Sequence, residues 1–169
     1  SGLPWDWEHY GEYLNSISEK PTSINIAGLV GHSAIRYYVM GDRSFEEQAS
    51  AEEKQQMADI VAKSLEGGAF GFSTNRFEPH KAPDGRSIPG TFAEPDELAV
   101  ISKAVAQRNG LMQSVGASPD VMEAIANEGS RLLFSYGTQA EPGAGAKSAR
   151  WLEQFSAGRD VTAVTHVRS

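Results

Sequence analysis

One hundred and sixty-nine residues, 40% of them hydrophobic and 22% charged, suffice for one globular domain with its own core and argue against a disordered chain. A formal charge of -7 with scattered Lys and Arg leaves no basic face for a phosphate backbone, and no apolar run approaches the roughly 20 residues that cross a bilayer, so neither nucleic acid nor membrane is an expected partner. The absence of cysteine excludes disulfides, thiolate metal sites and a cysteine nucleophile, and fits a cytoplasmic location.

Along the chain, Asp6 is placed to cap a helix in which Tyr10, Tyr13, Leu14 and Ile17 recur at helical spacing. Pro21 breaks it, and residues 24–30 read as a continuous apolar strand that ends at His32. Ser44 with Glu47 and Ser50 with Glu53 both match the capping box, which sets a helix start near them; Met57, Ile60, Val61 and Leu65 form its buried stripe. Gly67 and Gly68 stop that helix. A short apolar strand over 69–72 follows, carrying Ser73, Thr74, Asn75 and Arg76 at its C-terminal end. A long loop with Pro79, His80, Pro83, Gly85, Pro89 and Gly90 leads to a helix opened by Glu94, Pro95 and Asp96. The same alternation continues with strands at 111–115, 131–135 and 161–167. The intervening helices start at Ser118 and pack Trp151, Leu152 and Phe155.

Helices rather than hairpin turns join successive apolar strands, which predicts an α/β domain over 1–169 with a parallel sheet. The alternatives are an open doubly wound sheet and part of an eight-stranded barrel, and in both the functional residues sit at the strands' C-terminal ends. A partial barrel has unpaired first and last strands, which the remainder of the barrel or a second copy would cover.

Residues 141–148 superficially suggest a phosphate-binding loop, but Glu141 and Ala146 stand where that motif needs glycines. The four histidines, His9, His32, His80 and His166, show no metal-pair spacing. His32 and His166 each end an apolar strand, where a metal ligand or general base could stand; a hydrogen-bonded rim histidine is the plainer reading of each. His80 lies in the loop between Arg76 and Arg86, where guanidinium groups suit a carboxylate. No Asp, Glu or Lys falls inside an expected strand, so a self-contained two-metal hydrolytic centre is hard to assemble here.

Trp5-Asp-Trp7, Glu12-Tyr-Leu14, Ala27-Gly-Leu-Val-Gly-His32, Ile35-Arg36, Val39-Met-Gly41, the run at 65–74 and Pro89-Gly-Thr-Phe-Ala93 occur in order. On these segments the sequence resembles the N-acyl-D-amino-acid deacylases, D-aminoacylase-like members of the amidohydrolase superfamily. The resemblance implies a central slice of a longer, zinc-dependent TIM-like barrel whose substrate is a small N-acyl amino acid. The family's His-x-His motif has no counterpart here, and where its Thr-His-x-Arg motif is expected the chain reads Leu111-Met-Gln-Ser-Val-Gly116. Thr165-His-Val-Arg168 has the right letters two strands later, which makes His166 the one implied metal ligand. The implied activity is amide hydrolysis by metal-activated water. His32, Ser73, Thr74, Asn75, Arg76 and His80 are the expected substrate-binding residues, with Arg76 on the substrate carboxylate. The competing expectation is a catalytically incomplete partial barrel that serves as a binding or assembly module, with the isolated chain inactive.

Overall fold

The computed structural model describes residues 5–136 and 143–165. Its elements run α1 (Tyr10–Ser18), β1 (Leu29–Gly31), α2 (His32–Met40), a 3-10 turn (Gly41–Phe45), α3 (Ala51–Glu66) and β2 (Gly71–Asn75). They continue with α4 (Pro95–Ala106), β3 (Leu111–Val115), α5 (Pro119–Ala126), β4 (Arg131–Tyr136), α6 (Ala144–Ser156) and β5 (Val161–Thr165). The strands pair in parallel in the order β1-β2-β3-β4-β5, each beside its neighbour in sequence. A doubly wound sheet would reverse its order at a switch point, so sequential pairing makes this the wall of a barrel.

Sequential parallel strands joined by right-handed crossovers carry all their helices on one face. Val30, Phe72, Met112, Leu132 and Phe134 point toward that face and form the core with Met57, Val61, Leu98, Ile101, Val105, Val121 and Ile125. Trp151 and Phe155 of α6 extend it, their rings stacked at 4.8 Å and set edge-on to Phe134. Side chains alternate along a strand, so Ser73, Asn75, Gln113, Val115, Leu133 and Ser135 fall on the opposite face, where they are half-buried. Parallel sheets are ordinarily covered on both faces, and among the described residues helices cover one face of this one.

Local chemistry explains several boundaries. Ser50 caps α3 as expected: its hydroxyl accepts from the Glu53 amide while the Glu53 carboxylate accepts from the Ser50 amide. Ser50→Ala is expected to cost about 1 kcal/mol and a few degrees of Tm, measured by thermal melts. Ser44 is no cap; it lies inside the 3-10 turn. The strand expected over 24–30 shrinks to Leu29–Gly31, because Ile24 and Ile26 are exposed and only three residues pair with β2. The chain then enters α2 directly at His32, a helix the apolar pattern did not announce. α1 starts after His9 rather than at Asp6. Ser118 does sit at the head of α5, although its hydroxyl makes no capping bond to the backbone.

Candidate functional site at the C-terminal ends of the strands

His32 begins α2 where β1 ends, Thr74 lies near the tip of β2, and Glu97 lies in the first turn of α4, the helix after β2, so two successive βα units converge on one point. His32 Nε2 is 2.7 Å from Glu97 Oε1, and Nδ1 is 2.9 Å from Thr74 Oγ1. One helical turn beyond His32, Arg36 donates from Nη1 to Glu97 Oε2, from Nη2 to the Glu47 carbonyl, and from Nε to the Ser44 carbonyl at 3.0 Å. All four side chains are buried: His32 is 1% exposed, Arg36 2%, and Thr74 and Glu97 0%.

Burial pushes the Glu97 carboxyl up, but hydrogen bonds and charge from His32, joined by Arg36, outweigh it and hold the group below its ordinary value of 4.5. An ionised carboxylate only accepts, so Nε2 of His32 carries a hydrogen. In the neutral ring Nδ1 accepts from the Thr74 hydroxyl; in the cation it donates to it.

The open face of the sheet carries a second, softer set of groups. The Ser73 hydroxyl donates to Gln113 Oε1 across β2 and β3. The Asn75 amide donates from Nδ2 to His80 Nδ1, and its Oδ1 accepts from the Phe77 amide at 2.9 Å, which turns the chain out of β2. The His80 ring stands edge-on to Phe77 at 5.4 Å.

Arg76 leaves β2 with its amide bonded to the Val115 carbonyl at 2.8 Å, and its Nη1 donates to the Gly90 carbonyl at 3.2 Å. Among the described residues no carboxylate reaches its guanidinium within ion-pair distance. Burial pulls the guanidinium below its ordinary value, Asp120 and Glu97 pull it back at longer range, and Arg36 opposes them.

Arg86 is differently placed. It lies 3.8 Å above the Phe45 ring and pairs with Asp84 at 2.8 Å and Asp42 at 3.1 Å, so its charge pins the loop to the 3-10 turn. A cleft of about 310 Å³ opens between these segments, lined by Arg36, Ser44, Phe45, Gln48, Arg86 and Phe92 among others, and none of the six expected substrate residues borders it.

The structure thus brings His32 together with Thr74, and Asn75 together with His80, while Ser73 and Arg76 stand on either side of the β2 tip. Glu97 was missed from sequence because it reads as a first-turn acid. The available signal was its place four residues before the buried Ile101, on the apolar stripe of α4. His166, the implied zinc ligand, lies outside the described residues. Among the described residues no three His, Asp or Glu side chains come together as a metal site, and the open face offers hydroxyls and neutral amides instead. This donor set does not fit zinc. Among the same residues no helix is long and apolar enough to cross a membrane.

No family model matches the chain. It is 28% identical over 110 residues to the D-aminoacylase of Alcaligenes xylosoxydans xylosoxydans, covering 65% of this chain and 20% of that protein. It is 33% identical over 117 residues to the N-acyl-D-glutamate deacylase of the same organism, covering 69% of this chain and 22% of the relative. The fold matches the crystal structure of N-acyl-D-glutamate deacylase from Bordetella bronchiseptica, complexed with zinc and a phosphonate inhibitor that mimics the tetrahedral intermediate. The TM-score is 0.74 at 24% identity, over 92% of this chain and 33% of that one, a likeness that speaks for the fold alone. The chain therefore spans about a fifth of the length of the curated relatives it matches. It is a homologue of the N-acyl-D-amino-acid deacylases of the amidohydrolase superfamily and corresponds to a part of their barrel.

Proposed function

We propose that this chain is the part of an amidohydrolase that receives the carboxylate end of an N-acyl-D-amino acid whose amide bond is to be hydrolysed. The observation that carries the proposal is Arg76: half-buried at a strand tip, bonded through its side chain to one backbone carbonyl, and without a carboxylate partner among the described residues. A guanidinium partly stripped of water gains most from a carboxylate that it can grip with two parallel hydrogen bonds. On the open face Ser73 and Asn75, with His80 bonded to Asn75, supply neutral donors and acceptors suited to an amide. His32 and Thr74, expected to touch substrate, act instead by position, because both are buried and each is engaged by the other.

Hydrolysis needs water to attack the acyl carbon and a proton to reach the leaving nitrogen. The zinc in the Bordetella bronchiseptica deacylase structure and the family resemblance suggest zinc for activating that water, but the described residues do not form its ligand set. What these residues do is bind and orient. The open face of the sheet also favours a second reading, a catalytically incomplete barrel segment that binds a partner or assembles through that face and the sheet edges. The two separate in an assay of the gene product that carries this chain, given N-acetyl-D-amino acids and their L-enantiomers. Release of free D-amino acid, with little from the L-series, is the expected result; no hydrolysis of either series by a folded, zinc-loaded protein would favour the second reading.

A further inference from the structure

We propose that Glu97 is a positioning residue for Arg76, acting through His32 and the backbone of Gly90. This rests on Arg76 as the carboxylate anchor, but its geometry stands apart from that role. Glu97 fixes His32 Nε2 at 2.7 Å, and the other nitrogen is fixed to Thr74 on β2 at 2.9 Å, so the imidazole is clamped between α4 and the strand that carries Arg76.

The third side of the ring meets the long loop. Gly90 has φ +92, and a Cβ built on it would lie 2.5 Å from His32 Nδ1 and 2.7 Å from Cε1. Only glycine allows this approach, both because of the positive φ and because no side chain fits between loop and ring. The loop is held down at the same place by Ser33, whose hydroxyl donates to the Pro89 carbonyl at 2.8 Å. Gly90 then turns its own carbonyl to Arg76 Nη1.

The imidazole is therefore a spacer that sets the height of Gly90 above β2, and Gly90 sets the direction of the guanidinium. A carboxylate with no exposure thereby reaches a half-buried cation that it does not touch. If the Glu97 side of the clamp loosens, His32 gains rotational freedom, Gly90 is no longer seated, and the Arg76 guanidinium loses its carbonyl partner. A merely structural acid would instead loosen the whole core.

Phenylglyoxal labelling of arginines, read residue by residue by mass spectrometry on this chain, tests the proposal. In Glu97→Gln, labelling at Arg76 is expected to rise about fivefold, as for a group freed by local opening. Labelling at Arg159, which lies between α6 and β5 and is fixed to Glu123 of α5 at 2.7 Å, is expected to stay unchanged. Thr74→Val, which removes one hydroxyl and keeps the shape, is expected to show the same pattern and serves where Glu97→Gln does not fold. Unchanged Arg76 labelling in a folded variant, or equal increases at Arg76 and Arg159, would overturn the proposal. The carboxylate reading is scored separately by the KM of the gene product for N-acetyl-D-amino acids. A selective rise in Arg76 labelling with KM unmoved keeps the positioning role and removes the substrate role.

Discussion

Glu97→Ala is expected to lower folding stability by about 3–5 kcal/mol, the usual cost of removing one partner from a buried ion pair. The size follows from what remains. Arg36, 2% exposed, would keep its charge with two backbone carbonyls as its remaining partners, and His32 would lose the acceptor on Nε2. Domains of this kind are stable by about 5–15 kcal/mol, so the loss would bring the chain close to unfolding. Urea titration of wild type and variant at neutral pH measures it, and a cost below about 1 kcal/mol would show that the cluster contributes little.

The pH dependence has a definite sign. Glu97 is held below its ordinary 4.5, so the folded state binds its proton more weakly than the unfolded state does. Its contribution is present in full above the unfolded value and is lost as pH falls through the lower, folded one. Wild-type stability should therefore drop more steeply below pH 4.5 than that of a variant lacking the carboxylate.

Much of this architecture was readable from residue pattern. Strands β3 and β4 are short apolar runs bounded by glycine, and α3 announces itself through the Ser50 and Glu53 box, because those signals are local and tertiary contacts do not override them; β2 runs over Gly71–Asn75, two residues beyond the start of the apolar run at 69–72. α2 was not readable. It starts on His32 without a capping side chain and carries Ile35, Tyr37, Tyr38 and Val39, β-branched and aromatic residues that suit strands better than helices. Ile24 and Ile26 misled in the other direction, since an apolar run with no partner to pair with is a strand by composition only.

The segment that carries Ser73, Thr74, Asn75, Arg76 and His80 was legible as the tip of a buried strand followed by a long loop, which has a recognisable grammar. Their division of labour was not. Whether Thr74 points to the helices or Ser73 to the open face depends on the register against Ser114 and Gln113, which no local pattern encodes. Glu97 and Arg36 lie 61 residues apart, and their pairing exists only once the sheet has formed.

Arg76→Ala is expected to raise KM for an N-acetyl-D-amino acid by about 10- to 100-fold with a smaller change in kcat, the loss expected for a hydrogen bond to a charged group. Arg76→Lys should fall between, because an ammonium keeps the charge but cannot offer the paired N–H groups of a guanidinium. The proposed seat of Arg76 at the substrate's carboxylate end, away from the amide that is cleaved, implies loss of uniform binding rather than of chemistry.

The decisive measurement compares an N-acetyl-D-amino acid with its own C-terminal carboxamide as substrates of the gene product that carries this chain, with Arg76 intact and with Arg76→Ala. Intact Arg76 is predicted to give a kcat/KM well in favour of the acid, and Arg76→Ala to collapse that preference while leaving turnover of the carboxamide nearly unchanged. The same preference for the acid in both proteins would contradict the assignment of Arg76 to the substrate carboxylate.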